Sequence, residues 1–216
     1  MEAVLAHLRR SIECGDYAMG AKLPSEATLS RDLEVSRSVV REALRGLQAL
    51  GLTDSRNGKG TFVISDQAAD NPMFGQYSAR DLFEVRRHIE VPAAGYAAAR
   101  HTAEDLDGFT DLLDRMESET DGTVWVALDS LFHIAVARAS GNPAFAKVIE
   151  EIRDALATQS AFINRLGRDR RAASNVEHRR IVDAIASGSS GAARDAMAEH
   201  LEHVGEVLVD IVGKKK

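Results

Sequence analysis

The feature that most restricts how this chain can fold is the step Asn57-Gly58, set between two short segments at residues 52–56 and 61–64. Asn-Gly supplies the positive backbone φ that a tight antiparallel hairpin needs, so the spacing predicts a two-stranded ribbon here. Upstream of it the periodicity is helical. Val4, Leu5, Leu8 and Ile12 recur on one face and predict a helix over residues 2–14. After the turn GDYAMGAKLPSE, Ser25 is placed to cap a helix over residues 26–34, and Ser36 to cap a longer one reaching about Ala49. Val39, Val40, Ala43, Leu44 and Leu47 form the apolar side of that longer helix, and Gly51 is its stop.

Helix, helix, helix, hairpin within residues 1–65 is the order of a winged helix-turn-helix. In that arrangement the N-terminal end of the capped third helix enters the major groove of DNA. Ser36, Arg37, Ser38 and Arg41 stand at or near that end, with the two arginines four apart on one face. Arginine can bond two acceptors of a guanine edge, while serine hydroxyls and free helix N–H groups suit phosphates. An exposed helix face that merely solvates its charges is the plainer alternative for such arginines.

Residues 66–78, DQAADNPMFGQYS, lose periodicity and read as a linker. Beyond them the pattern stays helical, with helices expected near 79–100, 103–118, 122–139, 143–165, 171–187 and 191–212. Thr102 with Asp105 has capping-box spacing, and Asn142-Pro143 is a cap followed by proline at the first helical position. With no strand pattern there, residues 79–216 should form an antiparallel helical bundle, making the chain mainly α.

Net charge of −6 is unusual for a DNA binder, but it is unevenly spread. Residues 1–65 carry 9 Lys and Arg against 8 Asp and Glu, so the acidic excess belongs to the second segment. The field at the contact face matters more than the whole-chain total. The single cysteine, Cys14, excludes an intrachain disulfide. No apolar run has the roughly 18 residues of a membrane span, and the N-terminus lacks a signal peptide's apolar block. A cytoplasmic location without membrane association is expected.

Four polar residues fall where the bundle should be apolar. Asp129 and His133 are four apart, on or beside the stripe of Trp125, Leu128, Phe132 and Val136. His178 leads Ile181, Val182 and Ile185, and His200 lies within the stripe of Met197, Leu201 and Val204. Buried imidazoles and a carboxylate need partners, and a divalent metal would satisfy all four. One carboxylate and three imidazoles suit zinc first, with nickel, manganese or iron as alternatives. Each histidine taken singly could equally be a packed core or surface residue.

The run LPSEATLSRDLEVSRSVVREALRGLQALGLTDSRNGKGTFV resembles the GntR family of bacterial regulators. D-S-L-F-H, S-G-N-P, E-H-R-R-I and A-M-A-E-H-L resemble the FCD sensor domain found in that family. The resemblance implies that Arg37 and Arg41 contact bases or phosphates, and that Asn57 and Gly58 form a wing tip reaching the minor groove. It implies that Asp129, His133, His178 and His200 bind a metal. It also implies that Arg86, in EVRRHIE, meets a ligand carboxylate; a salt bridge to an acidic neighbour is the alternative role. A homodimer on a palindromic operator, responding to a small carboxylate or hydroxy acid and acting as a repressor, would follow. One departure is Ala27, where family members usually carry a DNA-contacting arginine. Two other readings remain: a metal-dependent hydrolase or lyase with a DNA-binding-like appendage, and a regulator binding an acyl-CoA without metal.

Overall fold

The computed structural model describes residues 2–56, 58–68, 73–74, 76–166 and 170–213. Chain contacts divide it into two units, one running to Ser78 and joined by the residues from Val209 onward, the other Ala79–Leu208.

The first unit begins with α1 (Glu2–Glu13), α2 (Glu26–Asp32) and α3 (Arg37–Ala49). Both expected serine caps form. The Ser25 Oγ accepts the Thr28 N–H at 3.1 Å, and the Ser36 Oγ accepts the Val39 N–H at 3.3 Å. α2 ends earlier than its sequence pattern predicts, because Glu34 turns left-handed at φ 54° to start the bend into α3. Leu8, Ile12, Val40, Leu47 and Leu52 are fully buried and hold these elements together.

The hairpin follows as β1 (Thr53–Arg56) and β2 (Gly60–Val63), antiparallel with Thr53 opposite Val63 and Arg56 opposite Gly60. The segment around Lys22 lies along the other edge of β2, bridging to Phe62, with the Leu23 N–H donated to the Thr61 carbonyl at 2.8 Å. That pairing ties the wing to the turn before α2.

The segment expected to be a plain linker contains a small hairpin, β3 (Met73–Phe74) paired with β4 (Tyr77–Ser78). Phe74 is completely buried, and β3 lies against α3. Two-residue strands are too short to show an alternating pattern, which is why the sequence hides them.

The second unit is helical: α4 (Ala79–Arg100), α5 (Ala103–Ser118), α6 (Gly122–Ala139), α7 (Pro143–Leu166), α8 (Arg170–Ala186) and α9 (Ser190–Gly213). The Thr102–Asp105 capping box forms in both directions, and the Asn142 Oδ1 accepts the Ala144 N–H at 3.1 Å. Its core joins Phe109, Leu113 and Met116 of α5, Trp125, Phe132 and Val136 of α6, Ile181 and Ile185 of α8, and Met197 and Leu201 of α9. α4 contributes Ala94, Ala97 and Ala98, whose short side chains let it approach closely. The Trp125 indole N–H, which burial would otherwise leave unpaired, is donated to the Asn175 Oδ1 at 3.0 Å.

Candidate functional site

On the first unit, Ser36, Arg37, Ser38 and Arg41 are all exposed at the start of α3 or one turn into it. Ser36 and Ser38 share a hydroxyl–hydroxyl hydrogen bond of 2.8 Å. Among the described residues Arg37 has no ion-pair partner. Arg41 does: its Nε and Nη2 reach the two Glu26 oxygens at 3.0 and 2.7 Å. Two of its five N–H groups are used there, and three stay free to contact a ligand. Gly58 adopts φ 69° at the wing tip, a conformation glycine reaches without steric cost. Asn57 lies outside the described residues. Ala27 is exposed on α2 and offers no donor where its side chain faces solvent.

On the second unit, α6, α8 and α9 converge. His133, His178 and His200 are buried, with one ring nitrogen from each within 4.8 Å of the others. The Asp129 Oδ1 lies 3.5 Å from the His178 Nε2 and 3.8 Å from the His133 Nε2. The four residues read from the sequence as a set are therefore brought together by three helices.

The remaining ring nitrogens show how this cluster is held. The His200 Nδ1 is 2.7 Å from the Glu177 Oε2, and the His203 Nδ1 is 2.8 Å from the Glu177 Oε1. Arg170 forks onto the same carboxylate. On the other side, the His133 Nδ1 lies 2.6 Å from the Glu90 Oε2 but is not aligned for a hydrogen bond, and the Arg86 Nε donates to the Glu90 Oε1 at 2.6 Å. The Arg86 Nη2 is 3.2 Å from the His133 Nε2. A guanidinium can only donate, so this Nε2 is the acceptor and the ring proton belongs on Nδ1, facing Glu90. His178 differs: neither ring nitrogen has a hydrogen-bond partner. Its ring packs against Phe132, with centroids 4.5 Å apart, and stacks on Trp125.

Electrostatics favour neutral imidazoles at His178 and His200 and charged carboxylates at Glu90 and Glu177. Burial, reinforced by the neighbouring His200, His133, Arg86 and Arg170, pushes His178 well below the usual histidine range. Burial also drives His200 down to about 4, against the opposing hydrogen bond from Glu177. Burial would raise both glutamates. For Glu90 the Arg86 charge and His133 outweigh it and hold the carboxyl well below the carboxylate range. For Glu177 the hydrogen bonds from His200 and Arg170 prevail and bring it to about 2. Neutral imidazoles are the form that binds metal. Partnerless, fully buried nitrogens on His178 are costly unless something satisfies them. The donor set therefore fits a divalent metal ion.

A small cavity, open to solvent, lies beside the cluster. Asp129, His133 and His200 line it, with Arg86, Arg170 and Gln159 among its other walls. Arg86 thus makes the salt bridge considered as its alternative role, and it also lines the cavity. Gln159 is buried, and among the described residues its amide has no hydrogen-bond partner. Sequence reading did not single out Glu90, Gln159, Arg170 or Glu177. Glu90 had a usable signal, since it stands four residues after the inward-facing Arg86. His203 bonds Glu177 through its Nδ1 and so stands at the edge of the cluster.

Two family models match the chain: bacterial regulatory proteins of the gntR family over residues 1–63, and the FCD domain over residues 81–203. The chain belongs to the GntR family. Among curated relatives, the HTH-type transcriptional regulator LutR of Bacillus subtilis is 32% identical over 91% of this chain and 95% of its own. The Exu regulon transcriptional regulator of Escherichia coli is 33% identical over 96% of this chain and 83% of its own. Among solved structures, E. coli McbR/YncC is 20% identical, with a TM-score of 0.54 over 97% of this chain and 96% of its own, a likeness of fold. This GntR-family chain is accordingly a DNA-binding transcriptional regulator with a winged helix-turn-helix and a helical FCD domain. The hydrolase or lyase alternative is not favoured, because the matched relatives are regulators. FCD domains bind metal and small-molecule effectors, and GntR-family regulators bind operator DNA. Among the described residues no helix is long and apolar enough to cross a membrane.

Proposed function

We propose that this regulator is a homodimeric repressor whose FCD domain holds a divalent metal and senses a small carboxylate or hydroxy acid. The observation that carries this reading is the coincidence of an imidazole–carboxylate cluster with a cavity wall. Asp129, His133 and His200 face the cavity, and His178 completes the donor set from behind. When bound, a metal accepting six ligands would leave positions open to an anionic oxygen. Zinc suits the three imidazoles, and nickel, manganese and iron accept the same donors.

Arg86 supports an anionic effector, because its guanidinium lines the same cavity. Its Nε and Nη2 are engaged by Glu90 and His133, so an effector carboxylate would take the Nη1 group. Gln159 adds an amide, without a hydrogen-bond partner among the described residues, that can both donate to and accept from a hydroxyl. At the other end of the chain, Ser36, Arg37, Ser38 and Arg41 would contact a palindromic operator, with Asn57 and Gly58 at the wing tip. Effector binding would favour one arrangement of the dimer over another and so lower operator affinity. The location consistent with this role is the cytoplasm.

The test is a thermal-shift screen of monocarboxylates, dicarboxylates and hydroxy acids, with and without added zinc or manganese, followed by operator binding with each stabilising compound. The expected result is an acid that stabilises only the metal-supplemented protein and weakens operator binding. Operator release by an acid that acts equally on metal-stripped protein would overturn the metal part of the reading.

A further inference from the structure

Two of the three clustered imidazoles have a built-in backing, and the third has none. Behind His200 stands Glu177, whose Oε2 meets the Nδ1 at 2.7 Å. Behind Glu177 stands Arg170, at the first turn of the same helix, gripping both carboxylate oxygens. The arrangement repeats around His133, where the Glu90 Oε2 lies 2.6 Å from the Nδ1 and Arg86, one turn earlier on α4, grips Glu90. In each case the arginine, the glutamate and the histidine are all buried. The two chains of contact come from different helix pairs, α8 to α9 and α4 to α6.

From this repetition we infer that Glu177 and Glu90 are positioning residues for the metal. Glu177 accepts the Nδ1 proton of His200, fixes its tautomer and presents its Nε2 as the ligand atom, and Glu90, close against the Nδ1 of His133, takes the same part once the pair aligns, while Arg170 and Arg86 lock the carboxylates in place. The inference rests on the metal reading above. Its physical basis is that a neutral imidazole carries one proton on either nitrogen. A carboxylate beside Nδ1 decides which nitrogen keeps its lone pair, and makes that lone pair more basic.

At His133 the Arg86 Nη2 lies 3.2 Å from the Nε2, a contact that fits a proton on Nδ1 and that the guanidinium must give up before the same lone pair can ligate a metal. Glu177 carries a further load, because His203 also reaches its Oε1. A carboxylate held by a guanidinium fork and by two imidazoles cannot rotate away from His200 without breaking several charge-assisted contacts. His178 lacks such a partner and is held by aromatic packing against Phe132 and Trp125.

The experiment measures zinc affinity of the full chain by competition with a chromophoric chelator, for wild type, Glu177→Gln, Glu90→Gln and Glu202→Gln. Glu202 is an exposed α9 carboxylate paired with Arg87 and outside both relays. The expected result is a 10- to 100-fold loss of zinc affinity for Glu177→Gln and Glu90→Gln, and no change for Glu202→Gln. Nitrogen-15 histidine spectra of metal-loaded protein add a readout that a merely structural role would not move. His200 should show a protonated Nδ1 and a metal-bound Nε2 in wild type, with that pattern weakened in Glu177→Gln. Glu90 is the deeper residue, so if Glu90→Gln does not fold, Glu177→Gln carries the test alone. Wild type that takes up zinc while folded Glu177→Gln binds it equally well overturns the relay and leaves the metal reading standing. Wild type that takes up neither zinc nor manganese overturns both.

Discussion

The Arg41 guanidinium on α3 grips the Glu26 carboxylate at the start of α2 through two hydrogen bonds, 3.0 and 2.7 Å long. The pair links the two helices of the helix-turn-helix at its exposed face. It fixes where Arg41 can point, and it places a negative charge beside the surface proposed to meet phosphates. Replacing Glu26 with alanine frees Arg41 and removes that charge. Binding to unrelated duplexes should strengthen, the slope of log affinity against log salt should steepen by about 1, and the preference for the operator should shrink. An unchanged slope and unchanged preference would show that the fork has no part in recognition.

Arg37 is the contrasting case, exposed and without an ion-pair partner among the described residues. Arg37→Ala should remove about 1–3 kcal/mol of operator discrimination while leaving thermal stability unchanged. Operator titrations across a salt series check this. Equal losses on operator and random DNA would reduce Arg37 to a phosphate contact.

Glu34 bends the chain between α2 and α3 at φ 54°, the one described non-glycine residue with positive φ. A side chain is strained there, and glycine is not. Glu34→Gly should therefore raise the stability of the DNA-binding unit by about 1 kcal/mol, despite glycine's greater freedom in the unfolded chain. A urea midpoint that rises at constant m-value confirms it, and one that falls refutes it.

These residues also show what the sequence could and could not reveal. Ser25, Ser36, Thr102 with Asp105, and Asn142 were legible because a cap is a local event, written by one side chain and the N–H two or three residues on. The hairpin was legible because Asn-Gly has few other uses. The turn at Glu34 was not, since nothing in a glutamate announces a left-handed backbone. Asp129, His133, His178 and His200 could be read because each interrupts or joins an apolar stripe. Glu177 could not, because it neighbours His178 on a strongly charged helix and its partners lie on α9 and at Arg170. Gln159 gives no sequence signal at all; only the cavity wall singles it out.

Acid sensitivity follows from the buried histidines. His178 and His200 hold their protons less tightly in the folded protein than the usual value of 6.5, His200 at about 4. The unfolded chain then binds more protons than the folded one as pH falls below 6.5. Stability from these groups is complete above that pH and is lost progressively down to about 4, with Glu177 adding a further loss from 4.5 toward about 2. Melting temperatures of metal-free protein should fall between pH 7 and pH 5, and those of zinc-loaded protein should fall more steeply, because protons displace the metal. A flat profile across that interval would contradict the burial of neutral imidazoles.

Metal content decides whether Asp129, His133, His178 and His200 form a metal site. The chain should be purified without chelator and without a metal-affinity tag, and its metals measured by elemental analysis alongside a folded His178→Ala variant. One divalent transition metal per chain is expected in the wild type, and little or none in the variant. A wild-type protein free of metal even after incubation with zinc, manganese, nickel and iron, or a variant that retains a full complement, would contradict this expectation.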